Sequence, residues 1–248
     1  MSHISRRRAV VTGAASGIGE AVVKRLVREG IDVLAVDMSA DKLEANRGPG
    51  ITTLVADVGS PADRQRIADA AQGVDYLVNA AGIIRFKPIF EVTEEDWRQI
   101  MTINAESVFF LCQKVGMNMA PGGAIVNLSS SSAKSTTTVE AAPYAASKTT
   151  ILSITKTFAL ALASRPIRVN AICPGFIDTP MQERLLDEVA KRRGTTVVEL
   201  SEQRHKTVPL GRSATPDECA GAIYFLLSDE AAYMTGQAIN FTGGMITW

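Results

Sequence analysis

Tyr144 and Lys148 stand four residues apart at the head of a helical pattern, so their side chains share one helix face. A phenol ordinarily ionises near pH ~10, too high for a base at neutral pH. A neighbouring ammonium favours the phenolate and lowers that value. Such a pair can take a proton from an alcohol or return one to a ketone. Serines at 129–132 follow an apolar run ending in Asn127-Leu128 and supply hydroxyls that can hold the reacting oxygen. Only two histidines occur, His3 in the terminal tail and His205 in a charged stretch, which removes most histidine-based mechanisms.

A second constellation suits a phosphate. An apolar strand pattern runs into Thr12-Gly13-Ala14-Ala15-Ser16-Gly17-Ile18-Gly19, and a helical pattern follows. Glycines let the backbone turn sharply and approach a pyrophosphate. The helix N-terminus then offers free N–H groups and a partial positive charge. The spacing departs from G-x-G-x-x-G, so the strand before and the helix after carry the reading. Asp37 ends the next apolar run, 18 residues past Gly19. An acid there accepts hydrogen bonds from ribose hydroxyls and repels a 2′-phosphate. Met38 follows, with no arginine beside it, so NAD is expected over NADP.

The elements that must position these groups alternate. Strand patterns cover residues 9–12, 32–37, 52–56, 75–79, 124–128, 168–172 and 238–241. Helical patterns cover 17–29, 61–71, 94–119, 144–163, 181–193 and 216–227. This alternation predicts an α/β fold: one doubly wound Rossmann-type domain over 1–248, a seven-stranded parallel sheet with helices on both faces. The irregular stretch 176–214, with a second helical pattern at 196–205, follows the sixth strand at its carboxyl end. Ligands bind there in open α/β sheets, so a substrate lid is expected.

Composition narrows the class. Basic and acidic residues balance at 26 each, so nothing favours nucleic acid or an anionic membrane. The run Arg6-Arg7-Arg8 reads as a solvated flank of the first strand. Cys112, Cys173 and Cys219 lie far apart, without the spacing of a disulfide framework or zinc site, so no metal is expected and a cytoplasmic setting fits. No signal-peptide pattern or membrane-length apolar run is present.

Taken together, the motifs resemble those of the short-chain dehydrogenase/reductase family along essentially the whole chain. They are the Thr12–Gly19 turn, Asp57-Val58, Asn79-Ala80-Ala81-Gly82, Asn104, the serines after Leu128, Tyr144-Ala145-Ala146-Ser147-Lys148 and Pro174-Gly175. The resemblance implies a catalytic set of Asn104, Ser130, Tyr144 and Lys148, with Asn104 holding a water that links Lys148 to solvent. The family commonly places its serine 13 residues before the tyrosine, at Ser131 here, whereas the strand pattern selects Ser130; a one-residue insertion in 133–143 would reconcile them. The resemblance further implies dinucleotide contacts from Gly13, Ser16, Gly17, Ile18 and Gly19, and from Asp57 and Val58 beside the adenine. Asn79, Ala80 and Gly82 would line the ribose side, with Pro174, Ile177 and Thr179 at the carboxamide. Asn79-Ala80-Ala81-Gly82 departs from the commoner Asn-Asn-Ala-Gly by one amide.

For the substrate pocket the sequence nominates Arg85, Glu140, Phe176 and Met181. The segment 233–237 and the ending 243–248 are similar to bacterial sugar-alcohol dehydrogenases of the family, which implies a polyol, sugar alcohol or hydroxy acid. A 3-oxoacyl-carrier-protein reductase is the alternative enzyme, disfavoured by Asp37. A dinucleotide sensor without turnover is the remote alternative, disfavoured by the complete acid/base set. The helix at 144–163 is apolar or small on nearly every side and so needs cover on two faces. The family likeness implies a homotetramer built through it and the 94–119 helix.

Overall fold

The computed structural model describes residues 6–136 and 138–248; His3 lies outside them. Seven strands form one sheet: β1 Arg8–Thr12, β2 Asp32–Asp37, β3 Ile51–Val55, β4 Tyr76–Asn79, β5 Ala124–Leu128, β6 Arg168–Pro174 and β7 Ala238–Phe241. They pair in parallel in the order β3-β2-β1-β4-β5-β6-β7. The order reverses direction between β1 and β4, so a crevice opens beyond their carboxyl ends, where α/β sheets take ligands. Central strands β4 and β5 are buried at every position, as expected for a sheet covered on both faces.

One face packs on α1 (Gly17–Arg28) and α9 (Pro216–Leu227) through residues such as Val11, Leu26, Val33, Ile172 and Ile223. The other packs on α3 (Pro61–Ala70), α5 (Ser107–Gly116) and α6 (Ala142–Leu162) through Val10, Ile67, Leu77, Leu111, Ile125 and Ile151. Between β6 and α9 lie α7 (Pro180–Arg193) and α8 (Val197–His205), which share a small core of Leu185, Val189, Ala190 and Leu200. That excursion closes at its base: Asp178 N–H donates to the Ala214 carbonyl (2.9 Å), and Ala214 N–H to the Phe176 carbonyl (3.0 Å).

Three expectations need correction. The 94–119 pattern is not one α-helix. It is α4 (Glu94–Met101), a π-helical turn over Thr102–Glu106 and α5. The wider turn inserts a residue and rotates Asn104 inward, to complete burial. A short helix, α2 (Ala40–Ala45), follows β2. It buries only Leu43, too little periodicity to read from sequence. β6 runs on to Pro174 because Gly175 N–H pairs with the Phe241 carbonyl at 2.9 Å, keeping the strand in register beyond Ile172.

Candidate active site

The glycine turn leaves β1 and enters α1 with no room for side chains. Gly13 has φ +66°, and a Cβ on it would lie 2.8 Å from the Ala81 backbone. A Cβ on Gly19 would lie 2.1 Å from the Gly13 carbonyl oxygen. Ser16 caps α1, and its hydroxyl makes no capping bond, leaving it and the first helix N–H groups for a ligand. The turn is pinned from outside: Ala14 N–H donates to the Val36 carbonyl (3.1 Å) and Ala15 N–H to Asp37 Oδ2 (3.1 Å). Asp37 Oδ1 accepts from Ser39 N–H (3.0 Å), so this carboxylate ties the glycine turn to the β2–α2 turn. Thr12 Oγ1 accepts from Ala80 and Ala81 N–H, fixing the end of β4 beside the end of β1.

On the far side of the crevice, the end of β5 and the first turns of α6 are stitched together. Lys148 Nζ donates to the Leu128 carbonyl (2.8 Å) and Ser129 Oγ to the Lys148 carbonyl (2.8 Å). Pro143 in the first turn of α6 suits helix initiation and sets Tyr144 at the helix head. Lys148 Nζ lies 5.7 Å from the Tyr144 ring centroid. Ser130, 7% exposed, faces the Tyr144 phenol. Burial pushes the Tyr144 phenol up from 10.0, against the opposing pull of the Ser130 hydroxyl. Burial likewise brings the Lys148 ammonium down to about 8. At Tyr144, then, desolvation outweighs the pull of the Ser130 hydroxyl.

Most of the nominated residues border one cleft of about 580 Å³. They include Gly13, Ser16, Gly17, Ile18, Gly19 and Asp37 at one end, then Asp57, Val58, Ala80 and Gly82, then Ser130, Tyr144 and Lys148, and finally Pro174, Ile177, Thr179 and Met181. The two walls meet where a Cβ on Gly17 would lie 3.2 Å from Thr179 Cγ2. Thr179 also caps α7, accepting from Gln182 N–H.

Five nominated residues stand elsewhere. Asn79 does not line the ribose side. It is 2% exposed and turned into the core, where its Nδ2 donates to Asn127 Oδ1 (2.8 Å), because the strand pleat sends it away from the crevice. Asn104 is shut behind Gly82 rather than bordering the cleft. Its Oδ1 accepts from Ile83 N–H (2.8 Å), and its Nδ2 donates to the Ile83 carbonyl (2.9 Å) and to Ser147 Oγ (3.0 Å). Glu140 is engaged by Arg192 and Arg193 of α7. Phe176 is covered by Arg204. Arg85 is exposed at the surface outside the cleft. Ser131 likewise lies outside the cleft lining.

The cleft also holds residues the sequence reading passed over. Lys42 and Ser39 border it beside Asp37, and Gln182, Arg184, Leu185 and Glu188 border it from α7. Met181, Arg184, Leu185 and Glu188 have the i, i+3, i+4, i+7 spacing of one helix face, which was readable as such; Lys42 carried no signal. Among the described residues, no cluster of His, Cys, Asp and Glu could hold a metal, and no helix is long and apolar enough to cross a membrane.

A cleft with a side-chain-free turn against a helix N-terminus, an acid at the second strand's end and a Ser/Tyr/Lys group defines a dinucleotide-binding oxidoreductase. The chain matches, over residues 13–246, the family model described as Enoyl-(Acyl carrier protein) reductase. It is 39% identical to the 3-oxoacyl-[acyl-carrier-protein] reductase FabG of Thermotoga maritima, covering 96% of each chain. It is 36% identical to D-threitol dehydrogenase of Mycolicibacterium smegmatis, covering 95% of this chain and 91% of that one. A crystal structure of actinorhodin polyketide ketoreductase with NADPH superposes with a TM-score of 0.92 at 32% identity over 100% of both chains. The chain belongs to the short-chain dehydrogenase/reductase family, whose members use a nicotinamide dinucleotide.

Proposed function

We propose that this enzyme oxidises a small polar secondary alcohol, or reduces the matching ketone, with NAD(H). The observation that carries the reading is Tyr144 with Ser130 facing its phenol and Lys148 beside its ring, in the same cleft as the glycine turn and Asp37. Gly13 to Gly19, Asp37, Asp57, Val58, Ala80 and Gly82 would hold the dinucleotide, with Pro174, Ile177 and Thr179 at its nicotinamide end. When bound, it accepts or supplies the hydride.

The rest falls to the chain. Ser130 Oγ holds the substrate oxygen. Tyr144 Oη, as phenolate, takes the hydroxyl proton; in reduction, as phenol, it gives one. Lys148 supplies the positive charge that favours the phenolate and would also hold the nicotinamide ribose. Asn104 acts through others, tying the Ile83 backbone to Ser147, whose Oγ donates to the Tyr144 carbonyl (2.7 Å).

NAD rather than NADP follows from the Asp37 carboxylate, which would face a 2′-phosphate at close range. Lys42 on the same wall offers a competing cation, and the 39% identity to a 3-oxoacyl-carrier-protein reductase favours that activity as the second reading. The 176–214 excursion serves as the substrate lid. Leu160, 81% exposed on α6, and Phe109 on α5 are suited to pairing with a second copy, which supports a homotetramer. Three buried free cysteines suit a cytoplasmic setting.

The test is a screen of polyols, sugar alcohols, hydroxy acids and acetoacetyl thioester with NAD(H) and NADP(H), followed by nicotinamide absorbance. Turnover of an alcohol with NAD is expected, and Tyr144→Phe should lower kcat by about 10²–10⁴ while still binding the dinucleotide. Thioester reduction with NADPH alone would promote the second reading.

A further inference from the structure

The glycine turn has no cation of its own. Residues 12–19 include neither lysine nor arginine, so the turn offers a ligand only backbone N–H groups, the Ser16 hydroxyl and the start of α1. A dinucleotide's pyrophosphate is dianionic, and the cleft that would take it already includes the Asp37 and Asp57 carboxylates. Among the described residues three cations border that cleft: Lys42, Lys148 and Arg184. Lys42 stands on α2 beside Asp37, and Lys148 Nζ is held at the Tyr144 end by the Leu128 carbonyl (2.8 Å). Arg184, on α7, belongs to neither end.

Its geometry points back to the glycine turn. Side chains on a helix lean towards its N-terminus. Arg184 follows that direction: its Nε donates to the carbonyl of Pro180, the first residue of α7 (3.1 Å). Pro180 is preceded by Thr179, whose Cγ2 would lie 3.2 Å from a Cβ on Gly17. The helix therefore starts in contact with the turn, and the arginine head is folded onto that start. Gly17, Thr179, Pro180 and Arg184 all border the one cleft. With Nε held, neither Nη has a hydrogen-bond partner among the described residues. Nor does Glu188, one turn further along the same face, compete for it. A glutamate pairs better with a cation four residues after it than with one four residues before it. Glu188 Oε1 accepts from Arg192 Nη2 (2.8 Å). A guanidinium with its Nε fixed and both Nη groups open presents the fork that matches phosphate oxygens.

We infer that Arg184 is the side-chain cation for the dinucleotide's pyrophosphate, meeting it from the lid side of the cleft. This rests on the reading that the glycine turn holds that pyrophosphate. The first turns of α7 are then a cofactor contact, and the dinucleotide anchors the near end of the lid before any alcohol arrives. A ligand that lacks the pyrophosphate does not sense the residue.

The experiment measures binding of NAD, ADP-ribose and adenosine to the full-length protein with no second substrate present. Wild type, Arg184→Gln and Arg184→Lys are titrated by calorimetry, adenosine by competition against ADP-ribose. ADP-ribose keeps the pyrophosphate and lacks the nicotinamide; adenosine lacks both. Arg184→Gln should weaken NAD and ADP-ribose by about 10-fold each, the lower end for a hydrogen bond to a charged group, and leave adenosine within about twofold. Arg184→Lys should regain part of that loss. The Tm of both ligand-free variants should match the wild type, since the side chain is exposed. Unchanged ADP-ribose affinity in Arg184→Gln, or an equal loss on adenosine, overturns the inference. Normal ADP-ribose binding with a raised KM for an anionic substrate also overturns it, and moves Arg184 to the substrate's side. Gly19→Ala separates the two levels of failure. If it lowers ADP-ribose affinity while Arg184→Gln does not, only the role of Arg184 fails; if neither variant lowers it, the reading of the turn fails too.

Discussion

The cleft has two walls that are held by different means. The wall built by β1, β2 and β4 is backbone against backbone. The glycine turn is fixed by Val36, Asp37 and the close approach of Ala81, and Thr12 locks the ends of β1 and β4 together. Behind it stand strands β4 and β5, buried at every position. The wall built by α7 and α8 has only a small core around Leu185, Val189, Ala190 and Leu200, closed at its base by the Asp178–Ala214 and Ala214–Phe176 bonds. Its outer end is clipped to the α6 connection by Arg192 and Arg193 on Glu140, and Arg192 also donates to the Phe86 carbonyl (2.8 Å). Backbone contacts inside a buried sheet cannot change without unfolding, whereas long side chains at a surface can release and re-form. The first wall therefore suits a constant ligand, and the second a variable one that enters and leaves.

That contrast can be broken most forcefully at Gly19. A Cβ there must displace the Gly13 carbonyl oxygen 2.1 Å away, so Gly19→Ala should open the turn. Dinucleotide affinity should drop by about 100-fold or more, with a loss of stability of about 1–3 kcal/mol from the strained backbone. A nucleotide titration and a thermal melt check this; unchanged affinity would mean the turn is not the phosphate cradle.

A smaller effect separates function from stability within the rigid wall's partner, α6. Lys148 is buried, and its ammonium is brought from an ordinary 10.5 down to about 8. The unfolded chain then holds a proton that the folded one gives up, so stability should rise as pH climbs from about 8 towards 10.5. The shift corresponds to about 3 kcal/mol disfavouring the charged fold near neutrality, partly offset by the bond to the Leu128 carbonyl. Lys148→Met should thus be inactive yet melt about 2–6 °C higher than the parent at pH 7. The gap should narrow as the pH passes through that window. A variant that melts lower by the same margin at every pH would mean that the lysine contributes packing and carries no desolvation penalty.

The mildest test is aimed at the lid clip. Glu140→Gln removes the charge that Arg192 and Arg193 share across half-exposed ion pairs. Such pairs contribute little singly and somewhat more when they converge on one partly buried carboxylate. KM for substrate should rise about 3–10-fold, an effect of about 1 kcal/mol. Dinucleotide affinity should stay constant, and amide hydrogen exchange should quicken in α7 and α8 only. Quickening in β1 or α1 as well would erase the distinction between the walls.

How legible each wall was in the sequence follows from the same difference. The seven strands, the glycine turn, Asp37 and the Tyr144/Lys148 pair were readable because each rests on local chemistry: apolar runs, positive-φ turns, a four-residue helical spacing. The choice between Ser130 and Ser131 was not local. It depended on where the connection between β5 and α6 bends, and the fold turns Ser130 to the phenol. Asn79 was misread because a strand residue's face is set by pleat and register. Asn104 lies on a π turn, invisible as periodicity, that turns it into the core behind Gly82, where Lys148 Nζ also approaches. Glu140, Phe176 and Arg85 were nominated by proximity in sequence to the pocket, and each is turned aside by lid packing or solvent.

What the sequence determined by itself is the class of chemistry: a side-chain-free turn against a helix start, an acid at the end of the second strand and a phenol with an ammonium, all encoded in segments of a few residues whose conformations their own side chains dictate. What only the tertiary structure decided is which groups remain unsatisfied once everything is packed. That Arg192 and Arg193 engage both oxygens of Glu140 while Arg204 Nη1, on another helix and beside Phe176, has no acceptor among the described residues is a matter of contacts between residues more than fifty positions apart in some cases. Charge balance in a desolvated corner belongs to the assembled fold, since the penalty for an unpaired ion exists only where water has been excluded.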